Sequence, residues 1–160
     1  MTKNSSRETY GMKKYLSLLA VLCVAGVTVV AGDVDLEGVK CVVAPKAASL
    51  DKSADYKDGK VYFCCGNCAG KFAADKEKFA VSANHQLVAT KQYEQKACPF
   101  SGGELNPETA VSVAGAKVCF CCNNCKGKVE GAADDEAKVK MVFADKAFEK
   151  GFKKTVKQEG

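Results

Sequence analysis

Histidine is almost absent from this chain, and so are the residue groupings on which most enzymes depend. The sequence contains one histidine, His85, and a lone histidine on a predicted helix is more often hydrogen-bonded or solvated than a metal ligand. It has no phosphate-binding glycine loop and no nucleophile paired with a general base, so nothing in it supports hydrolysis or group transfer. It also has no cluster of basic residues interleaved with aromatic ones, which leaves nucleic-acid binding without the surface it requires. These absences favour a binding protein that is not an enzyme and has no nucleic-acid partner.

Residues 1–32 have the layout of a signal peptide. Lys13 and Lys14 precede an apolar run of 17 residues over 15–31, and small residues end this run just before Asp33. We therefore expect cleavage near Asp33 and a periplasmic or secreted protein. The alternative is a membrane anchor formed by the uncleaved run, since about 17 residues is the minimum that spans a bilayer; only then would the chain contact a membrane. The leader carries four of the 24 basic residues and one of the 19 acidic ones, so the net charge falls from +5 to +2 without it.

Cysteine is abundant, and most of it lies in a repeat. Ten cysteines are present, and eight of them form two copies of the pattern C-x22-C-C-x2-C that begin 57 residues apart. We call the C-C-x2-C end of each copy its knuckle. Aligned without a gap, the two copies share ten identical positions. The first copy consists of Cys41, Cys64, Cys65 and Cys68, and the second of Cys98, Cys121, Cys122 and Cys125.

The repeat divides the chain into two small modules. We expect module 1 over residues 39–90, a linker over 91–97 in which residues 91–96 could also form a short strand, module 2 over 98–152 and a flexible tail over 153–160. Modules of about 50 residues bury little apolar surface, and a metal or disulfide bonds usually supply the stabilisation that is missing. The cysteines are the source of such stabilisation in this sequence.

Each module is predicted to be a β-hairpin followed by a cysteine-bearing helix, which makes the fold α+β. Short alternating runs flank Asp58-Gly59 in module 1 and Ala114-Gly115 in module 2. Glycine tolerates the positive φ that tight hairpin turns require, so we expect the hairpins to turn at these two dipeptides. The residues that follow each hairpin have helical composition.

Further elements are expected after the first helix of each module. In module 1, Asp75 is predicted to cap a second helix over residues 76–89, whose apolar residues recur every four positions along one buried stripe. In module 2 the two copies diverge. There, residues 138–143 are predicted to form a strand, and residues 145–152 a closing helix.

Thiols at this spacing favour a metal site. If the helix begins at Cys64, then the sulfurs of Cys64, Cys65 and Cys68 lie along one edge of the first helical turn. The hairpin folds back so that Cys41 approaches this turn, and the helix N-terminus is expected to lower the pKa of the thiols. Soft thiolate ligands favour Zn(II) or Cu(I), so we expect about one such ion per module. The favoured fourth ligands are Cys65 and, in module 2, Cys122.

The cysteine pattern resembles that of a known family. The spacing C-x22-C-x3-C resembles the signature of the TRASH domain, and residues 62–65 with Lys71-Phe72 resemble the related YHS domain. The match covers residues 41–79 and 98–129. It implies small treble-clef-like units that bind zinc or copper, often in metal sensing, trafficking or resistance, with a protein partner in metal handling. The ligands that it implies are Cys41, Cys64 and Cys68, then Cys98, Cys121 and Cys125.

Two other interpretations of the cysteines stay open. A signal peptide implies an oxidising compartment, in which disulfide bonds would make the chain a cysteine-stapled structural or interaction module without an exchangeable metal. Nine cysteines remain after cleavage, an odd number, so a complete intramolecular disulfide framework is impossible. The C-x-x-C sequences that begin at Cys65 and Cys122 also suggest thiol redox chemistry, but the modules lack the βαβ pattern of thioredoxin-like enzymes.

Overall fold

A computed structural model describes residues 34–155, and in it each copy of the repeat forms a hairpin followed by helices. Module 1 contains β1 (Ser49–Tyr56), β2 (Gly59–Phe63), α1 (Gly66–Ala74) and α2 (Ala80–Ala89), and β3 (Tyr93–Gln95) follows it. Module 2 contains β4 (Asn106–Val113), β5 (Ala116–Phe120), α3 (Asn123–Glu130), α4 (Asp135–Phe143) and α5 (Asp145–Gly151), and β6 (Phe152–Lys154) ends the described chain. The α+β class and the pairing of each hairpin with a cysteine-bearing helix are confirmed.

The two hairpins share an irregularity at the same position. β1 pairs antiparallel with β2, and β4 pairs antiparallel with β5. The register shifts between Ser49 and Ser53 in the first hairpin and between Asn106 and Val111 in the second. Because positions 49 and 106 are equivalent in the repeat, the irregularity belongs to the module and not to one copy of it.

The turn of the first hairpin lies one residue earlier than predicted. Tyr56 pairs with Gly59, so the turn begins at Lys57, which has a φ of 50°. The second hairpin turns where predicted, at Ala114 and Gly115, with φ values of 48° and 87°. Both turns therefore occupy equivalent positions of the repeat, and a glycine fills only one of them.

Gly59 is required for close packing and not for a positive φ. A Cβ atom at this position would lie 2.8 Å from Leu87 Cδ2 and 2.9 Å from Gln92 Oε1. We therefore expect Gly59→Ala to lower the free energy of unfolding by about 1–3 kcal/mol, because a packed site resists an added methyl group. Gly70→Ala is the matched control, since a Cβ there meets nothing within 4 Å, and it should stabilise α1 by about 0.5–1 kcal/mol. Urea unfolding of both variants tests this account. Equal changes of the same sign in the free energy of unfolding would contradict it.

The second helix of module 1 has the predicted buried face, but it begins at Ala80 and not at residue 76, and its N-cap is Phe79 and not Asp75. Asp75 Oδ1 accepts a hydrogen bond from Lys78 N–H at 3.1 Å. This bond lies just before a 3-10 turn over Glu77–Phe79 that leads into α2. Ala83 and Leu87 on α2 are fully buried, so the apolar stripe faces the core as its periodicity predicted.

Residues 138–143 form a helix, and the prediction of a strand there is wrong. They belong to α4, which is capped by Asp134: its Oδ1 accepts a hydrogen bond from Ala137 N–H at 2.7 Å. Asp135 and Glu136 add negative charge in the first turn, where the helix dipole is positive. These signals outweigh the alternation of apolar residues that suggested a strand.

The end of the described chain also differs from the prediction. α5 ends at Gly151, and Phe152–Lys154 form β6, which pairs antiparallel with β3. Lys153 and Lys154 therefore lie in a two-stranded sheet and not in a flexible tail. The partner strand, β3, lies within residues 91–96, so the short strand is confirmed there. Residues 156–160 are outside the described range.

The two modules pack around one core. α2 contacts α4, and Asn84 on α2 donates a hydrogen bond to Phe143 O at 2.9 Å. The ring centroid of Tyr93 lies 5.1 Å from that of Phe148, which in turn lies 5.4 Å from that of Phe152. Buried side chains of both modules belong to one apolar cluster, so each module buries apolar surface of the other.

The leader predicted over residues 1–32 lies outside the described residues. Within residues 34–155, none of the helices combines the length and the apolar content that crossing a bilayer requires.

Candidate metal centres

The first cysteine of each module lies in a loop that is closed in the same way. Cys41 N–H donates a hydrogen bond to Lys46 O at 2.7 Å, and Cys98 N–H donates one to Gly103 O at 2.9 Å. Lys46 and Gly103 are equivalent positions of the repeat. Both cysteines are buried, and each lies beside the knuckle of its own module.

The knuckle connects a strand to a helix. Phe63 ends β2 and Gly66 begins α1, so the prediction that the helix begins at Cys64 is wrong by two residues. Cys65 is the N-cap of α1, with an extended backbone at φ −161° and ψ 164°. Cys122 is the N-cap of α3, with φ −160° and ψ 167°. The two N-cap cysteines therefore lie outside the first turn of their helices.

Three sulfur atoms come together in each module. In each group the three sulfurs all lie within 4.8 Å of one another. The Cys64 and Cys68 sulfurs are 3.7 Å apart, and the Cys121 and Cys125 sulfurs are also 3.7 Å apart. We call the groups triad 1, which consists of Cys41, Cys64 and Cys68, and triad 2, which consists of Cys98, Cys121 and Cys125.

One pair of sulfurs in each triad has the spacing found in a thiolate metal site. A tetrahedral zinc ion bonds sulfur at about 2.3 Å, which places two of its sulfur ligands about 3.8 Å apart. The 3.7 Å separations in both triads match this value, whereas a disulfide bond joins sulfurs at about 2.05 Å. All nine cysteines within residues 34–155 are free. Each triad is therefore compact enough to hold one metal ion.

The second knuckle cysteine of each module stands outside its triad. Cys65 Sγ lies 3.9 Å from Cys64 Sγ, and Cys122 Sγ lies 3.7 Å from Cys121 Sγ. Both are exposed, so each contacts its triad from the solvent side. That Cys65 and Cys122 are fourth ligands stays a prediction.

The first cysteine of each triad has a lowered pKa. Burial acts to raise the pKa of Cys98, but the Ser101 hydroxyl and neighbouring backbone N–H groups outweigh it and lower this pKa to about 6. Burial likewise opposes ionisation of Cys41, and hydrogen bonds from the backbone around Cys64 and Val43 outweigh it and lower the pKa. Metal binding requires thiolates, so a lowered pKa at this position favours the binding form.

The helix N-terminus does not lower the pKa of every knuckle thiol. The backbone N–H of Cys68 lowers the pKa of Cys65, and that of Cys125 lowers the pKa of Cys122. The pKa of Cys68, by contrast, is raised to about 12, first by hydrogen bonding with Cys65 and then by burial. Burial is the first cause that raises the pKa of Cys125 to about 12. The expectation of lowered values therefore holds for the N-cap cysteines and is wrong for the helical ones.

Ser101 contacts triad 2, and the cysteine pattern did not reveal this contact. Its hydroxyl donates a hydrogen bond to Cys121 Sγ at 3.2 Å and accepts one from Gly103 N–H at 3.1 Å. Module 1 has Ala44 at the equivalent position, so triad 1 receives no such bond. The alignment of the two copies carries this signal, because it places a hydroxyl in only one of two similar loops.

Two other candidate residues lie apart from the triads. His85 Nε2 is 3.1 Å from Ala114 O, and its ring packs edge-on against Phe143 at a centroid distance of 5.0 Å. Burial lowers the pKa of His85. The interpretation of this histidine as a hydrogen-bonded residue is thus confirmed. Cys119 is half-buried on β5 and belongs to neither triad.

Comparison of the chain with family models, with curated proteins and with solved structures finds no match. The geometry of the triads is therefore the basis on which a function is assigned.

Proposed function

We propose that this chain is an extracytoplasmic metal-binding protein, not an enzyme, that holds one soft metal ion in each triad. The observation that carries the proposal is the recurrence of three sulfurs within 4.8 Å of one another in both modules. Thiolates select Zn(II) or Cu(I) and disfavour Mg(II) and Ca(II). In each triad two cysteines are buried and the third is partly exposed, so the bound ion would lie near the protein surface.

The resemblance to TRASH and YHS domains supports a role in metal sensing, trafficking or resistance. The signal-peptide layout of residues 1–32 supports export of the chain. A tetrahedral ion needs a fourth ligand beyond each triad. We assign this place to Cys65 and Cys122, since each contacts a triad sulfur at less than 4 Å.

Reduced wild-type protein is expected to bind two metal ions, one per triad. Cys68→Ser should lose one ion and leave triad 2 loaded, and Cys125→Ser should do the converse. Cys119→Ser is the matched control and should keep both ions, because Cys119 belongs to neither triad. Elemental analysis of protein from the extracytoplasmic fraction measures the ratio, and the intact mass of the same sample reports cleavage near Asp33.

The same analysis separates the competing interpretations. Loss of an ion from Cys65→Ser makes Cys65 the fourth ligand, and retention gives that place to water or to the backbone. A single ion that either Cys68→Ser or Cys125→Ser abolishes would overturn the scheme, because one site would then be shared between modules. Native protein with no metal and only one titratable thiol per chain would favour the cysteine-stapled module, because nine cysteines leave one unpaired.

A further inference from the structure

A glutamine side chain joins two chain segments in module 1. Gln86 Oε1 accepts a hydrogen bond from Tyr62 N–H at 2.6 Å. Its Nε2 donates to Tyr62 O at 3.0 Å and to Lys40 O at 2.8 Å. Gln86 is buried on α2, so this amide pairs with β2 as a neighbouring strand would and also reaches the residue before Cys41.

Another glutamine makes the same three bonds in module 2. Gln95 Oε1 accepts a hydrogen bond from Cys119 N–H at 2.8 Å, and its Nε2 donates to Cys119 O at 2.6 Å and to Ala97 O at 3.1 Å. Cys119 and Ala97 are the equivalents of Tyr62 and Lys40 in the repeat. The amide therefore contacts the residue before Cys98 and the strand residue two positions before the knuckle.

The two glutamines themselves are not equivalent. Gln86 lies on α2 and aligns with Phe143, whereas Gln95 lies on β3 and aligns with Gly38. The same three bonds thus reach the same three backbone groups from different parts of the fold. The repeat does not explain why two non-equivalent glutamines make the same three hydrogen bonds. The reason lies in what the bonded segments have in common. Each pair of segments supplies the loop cysteine and the knuckle of one triad.

We infer that Gln86 and Gln95 are positioning residues of the metal sites: each amide holds the loop cysteine of its triad against the knuckle. The inference rests on the proposed function, because it concerns the affinity of those sites. Without the amide, the loop cysteine must be ordered when the metal binds, and the ordering of backbone and side chain opposes binding. Sites whose ligands are held by hydrogen-bonded neighbours avoid this cost.

Gln92 provides a control, because its amide bonds to β2, the strand that Gln86 also contacts. Its Oε1 accepts a hydrogen bond from Lys60 N–H at 2.7 Å, and its Nε2 donates to Lys60 O at 2.7 Å and to Thr90 Oγ1 at 2.8 Å. This amide pairs with β2 as Gln86 does, but it makes no bond to a cysteine-bearing loop. Replacement of Gln92 therefore reports the cost of losing an amide at the strand edge alone.

The test uses Cd(II), a soft thiolate-binding ion, and the full chain under reducing conditions. Cadmium NMR of the wild-type protein should show one signal per triad, and Cys68→Ser and Cys125→Ser assign the two signals. Gln86→Met should weaken Cd(II) binding at triad 1 by about tenfold and leave triad 2 unchanged, because a buried amide loses its partners. Gln95→Met should do the converse, and Gln92→Met should leave the affinities of both triads unchanged.

The untouched triad in each variant reports that the protein is folded. Loss of both signals from Gln86→Met or Gln95→Met would show that the glutamines stabilise the whole fold and do not position one triad, and it would overturn the inference. Equal weakening by Gln92→Met, or no change in any glutamine variant, would also overturn it while the proposed function stands. A wild-type protein that binds no Cd(II) and no other soft ion would overturn the proposed function, and this inference with it.

Discussion

Removal of the metal under reducing conditions is expected to destabilise both modules at once, by several kcal/mol. Each triad joins a loop cysteine to a knuckle that lies beyond the whole hairpin, so the ion closes a loop that the unfolded chain leaves open. Structural zinc sites in small domains bind with about 10–16 kcal/mol of apparent free energy. A part of this is enough to unfold a chain whose total stability is about 5–15 kcal/mol.

The loss is expected to reach both modules because contacts join them. Lys57 Nζ, in the turn of the first hairpin, lies 3.2 Å from Asp145 Oδ1 and 5.2 Å from the ring centroid of Phe148. Asn84 on α2 bonds to the end of α4. Cys68→Ser, which removes triad 1 alone, should therefore lower the midpoint of one cooperative transition of the whole unit.

Far-UV circular dichroism during heating, with and without a strong chelator, measures this effect. Cys119→Ser should behave as wild type, since it removes a thiol that belongs to neither triad. Unchanged helix content and midpoint after chelation would show that the metal does not hold the fold together. Two separate transitions in Cys68→Ser, one at the wild-type midpoint, would show that the modules unfold independently.

The parts of the site that could be predicted from the sequence are those with a local or repeated cause. The hairpin at Ala114-Gly115 follows from the φ that these turn residues adopt. The grouping of Cys41 with Cys64 and Cys68 follows from a hairpin that returns the chain to its starting point. The alignment of the two copies also predicts the first turn correctly, because it places residues 57 and 58, and not Asp58-Gly59, opposite Ala114-Gly115.

The errors have causes that a short window of sequence does not contain. Residues 138–143 alternate in the manner of a strand, and the cap that makes them helical, Asp134, lies outside that window. β6 is three residues long and pairs with β3 across most of module 2, so it carries no strong pattern of its own. The bonds of Gln86 to Tyr62 and Lys40 join positions far apart in the chain, and no spacing rule connects them.

Acidification is expected to remove the metal from triad 1 before triad 2. Protons compete with the ion for every thiolate, so with up to three thiols to protonate, a fall of one pH unit lowers the affinity by up to about a thousandfold. The triads differ because the Ser101 hydroxyl helps to lower the pKa of Cys98, whereas Ala44 stands at the equivalent position of module 1. A hydrogen bond to a thiolate favours the charged form.

The sign of the effect follows from the pKa of Cys98. Folding lowers it from 9.0 to about 6, so between these values the thiol is ionised in the folded chain and protonated in the unfolded one. Its contribution to the stability of the metal-free protein is complete above the unfolded value and is lost as the pH falls through about 6. Within this window Cys98 has no proton to release when triad 2 binds metal.

Cadmium NMR during an acid titration follows each triad separately, and a pair of substitutions tests the cause. Ser101→Ala should raise the pKa of Cys98 and weaken triad 2 by about fivefold, the equivalent of about 1 kcal/mol for one hydrogen bond. Ala44→Ser, which introduces a hydroxyl at the equivalent position, should increase the metal affinity of triad 1. Ser112→Ala is the control, since Ser112 is exposed on β4, and it should leave both release points unchanged. Simultaneous release from the two wild-type triads, or a release order that Ser101→Ala does not affect, would show that this hydroxyl does not set the difference between them.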